Sequence, residues 1–234
     1  MDLSTAKVLI TGGSSGIGYE TARTLLEAGA RVAITGRDEA KLHDAAKALK
    51  ALPIRADVSD PSDVQRMVEE TAKAFGSMNV LINNAGIGSF APLVALDVAE
   101  FRRVMDTNVF GAMLAGQAAA RHFITEGKGG NIINIASTAA QRGFVNGTAY
   151  TASKFALAAM TECWRAELRT HDIRVMQVNP SEVVTEFQSR MGRQQVVNET
   201  KLRAKEIAHA IKAMLEMDDR GFIPDLTVWA TNPK

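Results

Sequence analysis

The feature that most restricts what this chain can become is an alternation that runs almost end to end. Short apolar runs, "KVLI" (7–10), "RVAIT" (31–35), "LPIRA" (52–56), "NVLIN" (79–83), "NIINIA" (131–136), "RVMQVN" (174–179) and "LTVWA" (226–230), read as buried strands. Longer helical stretches separate them, among them 17–28, 38–50 and 61–75. Strands that are apolar on both faces need cover on both faces, and strand–helix alternation is the pattern that supplies it. The expected fold class is therefore α/β: a doubly wound, parallel central sheet of about seven strands with helices on either side. No repeat, low-complexity segment or linker interrupts the pattern, so residues 1–234 are expected to form a single domain. The most irregular segment is "PSEVVTEFQSRMGRQQVVNETKL" (180–202), which is polar and carries no clear strand. A loop of that length in a compact fold is usually functional, and 181–200 is expected to bind substrate.

Composition narrows the function classes. Lysine plus arginine number 27 and aspartate plus glutamate 26, so no basic excess points to nucleic acid. No apolar run approaches the ~18 residues of a membrane span. The start "MDLSTAKVLITGG" is too short and too acidic for a signal peptide. A single cysteine, Cys163, rules out a disulfide framework and suits a reducing cytoplasm. The four histidines are scattered and pair with no cysteine at metal-ligand spacing, so no metal site is expected.

The first strand runs into "TGGSSGIGYETARTLLEAGA". Gly12, Gly16 and Gly18 stand between a strand and a helix, where a tight turn lets the backbone approach a phosphate. The helix start then offers free N–H groups and the positive end of its dipole. Because the strand-before, helix-after context is present, a dinucleotide site of the Rossmann kind is favoured over a plain turn. The end of the second strand should lie near the adenosine ribose. An acid there suits NAD, whereas an arginine accommodates a 2′-phosphate. The chain has Gly36 and Arg37, with Asp38 opening the next helix as an expected N-cap. This favours NADP(H), with NAD(H) as the alternative if Arg37 merely covers a helix end.

In "AYTASKFAL" (149–157), Tyr150 and Lys154 are four apart and share a helix face. A phenol near pKa ~10 beside an ammonium near ~10.4 should give up its proton more easily than free tyrosine. That would make a proton donor and acceptor usable near neutral pH. The pair also fits an aromatic ring packed on a lysine stem at the surface.

Taken together, these residues resemble the short-chain dehydrogenase/reductase family in its single-domain form, over nearly the whole chain. "TGGSSGIG" (11–18) fits T-G-x-x-x-G-x-G, "DV" (57–58) the adenine contact after the third strand, and "NNAG" (83–86) the fourth-strand motif. Asn108, Ser137, and Tyr150 with Lys154 as Y-x-x-x-K complete the set. The resemblance implies an NADPH-dependent carbonyl or 3-oxoacyl reductase. Tyr150 would be the general acid or base, and Lys154 would lower its pKa and hold the nicotinamide ribose. Ser137 would hydrogen-bond the substrate oxygen, and Asn108 would help hold a water linking Lys154 to solvent. It implies cofactor contacts at Gly12, Ser14, Ser15, Gly16, Ile17, Gly18, Arg37, Asp57, Val58, Asn84, Ala85, Gly86, Tyr150, Lys154, Pro180, Val183 and Thr185. The family usually shows Pro-Gly after the sixth strand, and here Pro180 is followed by Ser181, which bears on local loop geometry.

Substrate walls are expected from Ser137, Gln141, Phe144, Val145, Tyr150, Phe187 and Met191. They form a partly apolar pocket that suits a neutral ketone or an acyl substrate. Arg142, Arg190 and Arg193 are either solvated or positioned for a carboxylate or phosphopantetheine end. An NAD-linked alcohol or sugar dehydrogenase, and a nucleotide-sensing binder without chemistry, are the competing functions. Small residues around 97–125 and 149–170 ("GAMLAGQAAA", "TASKFALAAM") fit the family's subunit contacts, which implies a homotetramer or homodimer, or else they pack on the sheet.

Overall fold

A computed structural model describes residues 1–184 and 200–232. Seven strands form one sheet in the order β3-β2-β1-β4-β5-β6-β9, and every neighbouring pair is parallel. They are β1 (Lys7–Ile10), β2 (Arg31–Gly36), β3 (Leu52–Arg55), β4 (Val80–Asn83), β5 (Gly130–Ile135), β6 (Ile173–Pro180) and β9 (Asp225–Val228). The order runs outward from β1 to β3 on one side and from β4 to β9 on the other. The reversal between β1 and β4 opens a crevice at the carboxyl ends of the strands, where ligands bind in such sheets. The expected fold and strand count are both found.

The strands alternate their cover. Val8 and Ile10 of β1 face a core built with Leu25, Leu42, Ile207 and Met214, whereas Leu9 faces one built with Met67, Val68 and Phe123. These side chains come from α1 (Gly16–Glu27), α2 (Glu39–Leu49) and α7 (Ala204–Glu216) on one face, and from α3 (Pro61–Phe75) and α5 (Gly111–Glu126) on the other. Local signals set the helix starts. The Asp38 carboxylate accepts from the Lys41 amide at 3.0 Å, as an N-cap should, and Asp60 accepts from Ser62 ahead of Pro61.

Within 97–125, α4 (Val98–Met105) and α5 are joined by a single π-turn at Asp106–Phe110. Most of the α5 alanines take the alternative of packing on the sheet. Ala115, Ala119 and Ala120 pack into the sheet core, and Gly116 backs onto the Trp164 ring of α6 (Thr148–Leu168). The polar segment expected as strandless also carries pairing at its base, where β7 (Val183–Val184) meets β8 (Leu202–Arg203). Thr185, Phe187, Arg190, Met191 and Arg193 lie outside the described residues.

Candidate active site

A cleft of about 1040 Å³ follows the carboxyl edge of the sheet. Gly12, Ser14, Ser15, Gly16 and Ile17 line it from the first turn, Arg37 from β2, and Asp57 and Val58 from β3. Asn84, Ala85, Gly86, Ser137, Phe144, Tyr150, Lys154, Pro180 and Val183 line the remainder. These are seventeen of the residues named from sequence, brought to one wall by the parallel topology.

The glycine turn fits a pyrophosphate. Gly12 has φ +66°, and a Cβ there would meet the Ala85 backbone at 2.9 Å. Thr11 Oγ1 accepts from the amides of Asn84 and Ala85, both at 3.1 Å, and Asn84 Nδ2 donates back to the carbonyls of Thr11 and Gly12. The β1 and β4 loops are thereby fixed to each other, leaving a cradle in front of α1 that side chains would fill. Gly18 has a different place from the one expected: it does not line the cleft. A Cβ on it would lie 2.5 Å from Asn84 Nδ2 and 2.6 Å from the Gly12 carbonyl, so it lets α1 pack against the turn.

At the adenosine end, Arg37 is half exposed and its Nη1 lies 3.7 Å from Asp57 Oδ2. Asp38 is occupied by its cap and points its charge at the helix start.

Tyr150, Ser137 and Lys154 form the centre of the site. The Tyr150 hydroxyl is hydrogen-bonded to the Ser137 side chain. Lys154 is buried, and Nζ donates to the Ile135 carbonyl at 2.8 Å, standing 5.7 Å from the Tyr150 ring centre. The expected lowering of the tyrosine pKa is not found. Burial pushes the phenol up, and the hydrogen bond from Ser137 opposes it only in part. The lysine explains this, because its ammonium is turned toward β5 rather than toward the phenolic oxygen. Lys154 itself is pushed down to about 8 by burial.

Asn108 stands behind the cleft rather than on it. It occupies the π-turn and is almost wholly buried. Its Oδ1 accepts from the Ile87 amide at 2.8 Å, while Nδ2 donates to the Ile87 carbonyl at 2.9 Å and to Ser153 Oγ at 3.0 Å. Ser153 in turn donates to the Tyr150 carbonyl at 2.7 Å. Its carboxamide is thus committed to protein partners, and a Cβ at Gly86 would sit between it and Lys154, 3.4 Å from Oδ1 and 3.7 Å from Nζ. Gln141 also turns away from the cleft, with Nε2 3.4 Å from Thr227 Oγ1.

Phe90, not among the walls expected from sequence, also lines the cleft. Its ring lies 5.9 Å from that of Phe144 and 5.5 Å from that of Tyr150. Trp229 was also missed; it lines the cleft just past β9, more than half exposed. The available signal was a large aromatic at the carboxyl end of the last strand, the edge where ligands bind.

The sequence pattern described as short chain dehydrogenase matches residues 6–196. Cis-4-hydroxycyclohexanecarboxylate dehydrogenase of Sinomonas cyclohexanicum is 36% identical over 229 residues, covering 92% of this chain and 90% of that protein. An uncharacterized oxidoreductase of Bacillus subtilis is 34% identical over 187 residues; the alignment covers 77% of this chain but only 52% of that relative. The structure of a 3-ketoacyl-(acyl-carrier-protein) reductase from Brucella melitensis, complexed with NADH, superposes with a TM-score of 0.88 at 30% identity. It covers 94% of this chain and 95% of its own.

Proposed function

Since the chain belongs to the short-chain dehydrogenase family, oxidoreductases that use nicotinamide dinucleotides, we propose that it interconverts a ketone and a secondary alcohol with NADP(H), Tyr150 being the proton donor and acceptor. The observation that carries this reading is the hydrogen-bonded Ser137–Tyr150 pair with a buried lysine beside it, on the wall of the dinucleotide cleft. When bound, the dinucleotide supplies or accepts the hydride. The glycine turn, Asp57, Val58 and the 84–86 loop would hold it, with Pro180, Val183 and Thr185 on its nicotinamide side.

The chain's own groups handle the proton. A phenol raised by burial is fully protonated at neutral pH, which suits a general acid for reduction. Ser137 would hydrogen-bond the same carbonyl oxygen and steady the charge that develops there. Lys154, pushed down to about 8, still carries a charge for the most part at pH 7, and would lower the cost of the phenolate by swinging its ammonium from the Ile135 carbonyl toward the phenolic oxygen. Asn108 would act through position, tying the 87 loop to the helix that carries Tyr150.

NADP(H) is favoured because Arg37 presents a half-exposed guanidinium just past the end of β2, and Asp38, the acid next to it in sequence, is taken up as a cap. A second reading, NAD-linked oxidation of an alcohol or sugar, draws on the Arg37–Asp57 pair, which offsets part of that cation. The NADH held by the Brucella neighbour is in keeping with it. The substrate is a small or medium ketone or its alcohol; a cyclohexane ring with a 4-hydroxyl, as in the name of the Sinomonas relative, belongs in the panel, as does a 3-oxoacyl thioester. We further propose one domain, a substrate role for 181–200, a homotetramer or homodimer, and a cytoplasmic setting.

The test is nicotinamide absorbance with NADPH and NADH over that panel. Tyr150→Phe is expected to lower kcat roughly 100- to 10,000-fold, the usual worth of a general acid or base. Undiminished turnover in the variant would overturn the catalytic assignment. A preference for NADH would overturn the role of Arg37 alone.

A further inference from the structure

Of the arginines that line the cleft, one meets no carboxylate among the described residues. Arg37 faces Asp57, Arg103 is held by Glu100 at 2.6 Å, and Lys201 is held by Glu182 at 2.6 Å. Lys154 is spent on the Ile135 carbonyl, and Lys41 is likewise engaged. Arg142 meets no carboxylate among the described residues; its guanidinium lies over the Trp229 ring, 5.9 Å from the centroid.

Exposure alone would make such an arginine an ordinary solvated side chain. Its placement does not. Arg142 follows Ser137 by five residues, across a 3₁₀ turn at Thr138–Ala140. Both line the same cleft as Tyr150. Trp229 gives the planar guanidinium a flat surface to lie on, which limits the orientations of its fork. The same cleft carries hydrocarbon: the Phe90 and Phe144 rings stack at 5.9 Å, and Phe90 continues to Tyr150 at 5.5 Å. Its lining thus includes a hydrogen-bonding pair for a carbonyl or hydroxyl oxygen, an aromatic surface that reaches Tyr150, and a guanidinium that meets no carboxylate among the described residues.

We propose that Arg142 and Trp229 form an anion subsite, and that the substrate is a small keto or hydroxy acid: its reacting oxygen on Ser137 and Tyr150, its hydrocarbon on Phe90 and Phe144, its carboxylate on Arg142. The inference rests on the reading of Ser137 and Tyr150 as the reacting end. A guanidinium binds a carboxylate through two parallel N–H donors, which gives direction as well as charge. A neutral ketone of the same shape would leave that fork in water, gaining nothing from it.

The experiment measures binding, not turnover. The full chain is saturated with NADP⁺ or NAD⁺, whichever it binds, and titrated by calorimetry with cyclohexanecarboxylate and with cyclohexanecarboxamide, which has nearly the same shape and no charge. The carboxylate is expected to bind about tenfold more tightly, the worth of one charge-assisted hydrogen-bonded contact. Arg142→Gln is expected to erase the difference, and Arg142→Lys to keep only part of it, since an ammonium lacks the fork. Equal affinity for the two probes, a difference that survives in Arg142→Gln, or no saturable carboxylate binding would each overturn the subsite. The catalytic reading fails separately: undiminished turnover in Tyr150→Phe would remove the reacting end while leaving the titration to decide the anion subsite.

Discussion

Lys154 shows how far a side chain's surroundings can oppose its sequence neighbour. Its pKa in the folded protein is about 8, against 10.5 in water. Between those values the unfolded chain holds more protons than the folded one, so this group makes stability rise with pH from about 8 to 10.5. Below about 8 the lysine is charged in both states, and its burial is a standing cost. Lys154→Met is therefore expected to stabilise the dinucleotide-free protein at pH 7 by on the order of 1 kcal/mol or more while destroying turnover. Urea unfolding at pH 7 checks the first half; a loss of stability would show that the bond to the Ile135 carbonyl outweighs the buried charge. The identities of Tyr150, Lys154 and Ser137 were legible in the sequence because a motif is a matter of spacing. The direction of the tyrosine's shift was not. Spacing of four places a lysine nearby, but it does not say where the ammonium points or how dry the phenol is.

Elements carry a second kind of information. The strands were legible almost residue for residue, since runs such as "NIINIA" bury both faces and admit few other structures. The π-turn at Asp106–Phe110 was not, because one extra residue in a helix leaves no mark on a 3.6-residue period this short. Yet that turn sets Asn108 where three hydrogen bonds join the 87 loop to α6. Asn108→Ala is expected to cost roughly 1–3 kcal/mol in urea unfolding, since it removes three hydrogen bonds at once and leaves the Ile87 amide and carbonyl half-buried and the Ser153 hydroxyl short of a partner. A change within ~0.5 kcal/mol, typical of surface sites, would mean water replaces the amide at no loss. Gly18→Ala acts on the turn: its methyl would enter the space of Asn84 Nδ2 and the Gly12 carbonyl. It is expected to destabilise by about 1–3 kcal/mol, the usual cost of overpacking, and to weaken dinucleotide binding in fluorescence titrations. Binding and stability equal to the parent protein would show that α1 can shift to make room.

For the molecule as a whole, most of the α5 alanines that suggested a partner face inward, whereas Ala152, Ala156, Ala158 and Ala159 of α6 stay half-buried or exposed. Val98 of α4 and Phe110 of the π-turn are large apolar groups left outward, at 66% and 54% exposure, and with the open α6 alanines they are the natural seam for the proposed assembly. Light scattering at micromolar protein is expected to give a mass above that of one chain, and Phe110→Glu to lower it; a single-chain mass before substitution would sink the proposal. The opposite edge of the sheet is built otherwise. There Arg174, at the start of β6, is buried and donates to Asn131 Oδ1 at 2.6 Å and to the carbonyls of Met217, Gly221 and Leu215. Because all seven strands run one way, the molecule has a keel and a deck. The proposed proton transfer and cofactor grip, and the aromatic row, all hang from the deck, largely on loops whose sequences the core does not read. New substrates can be acquired there by exchanging loops, one at a time, while the keel keeps the same protein folded underneath.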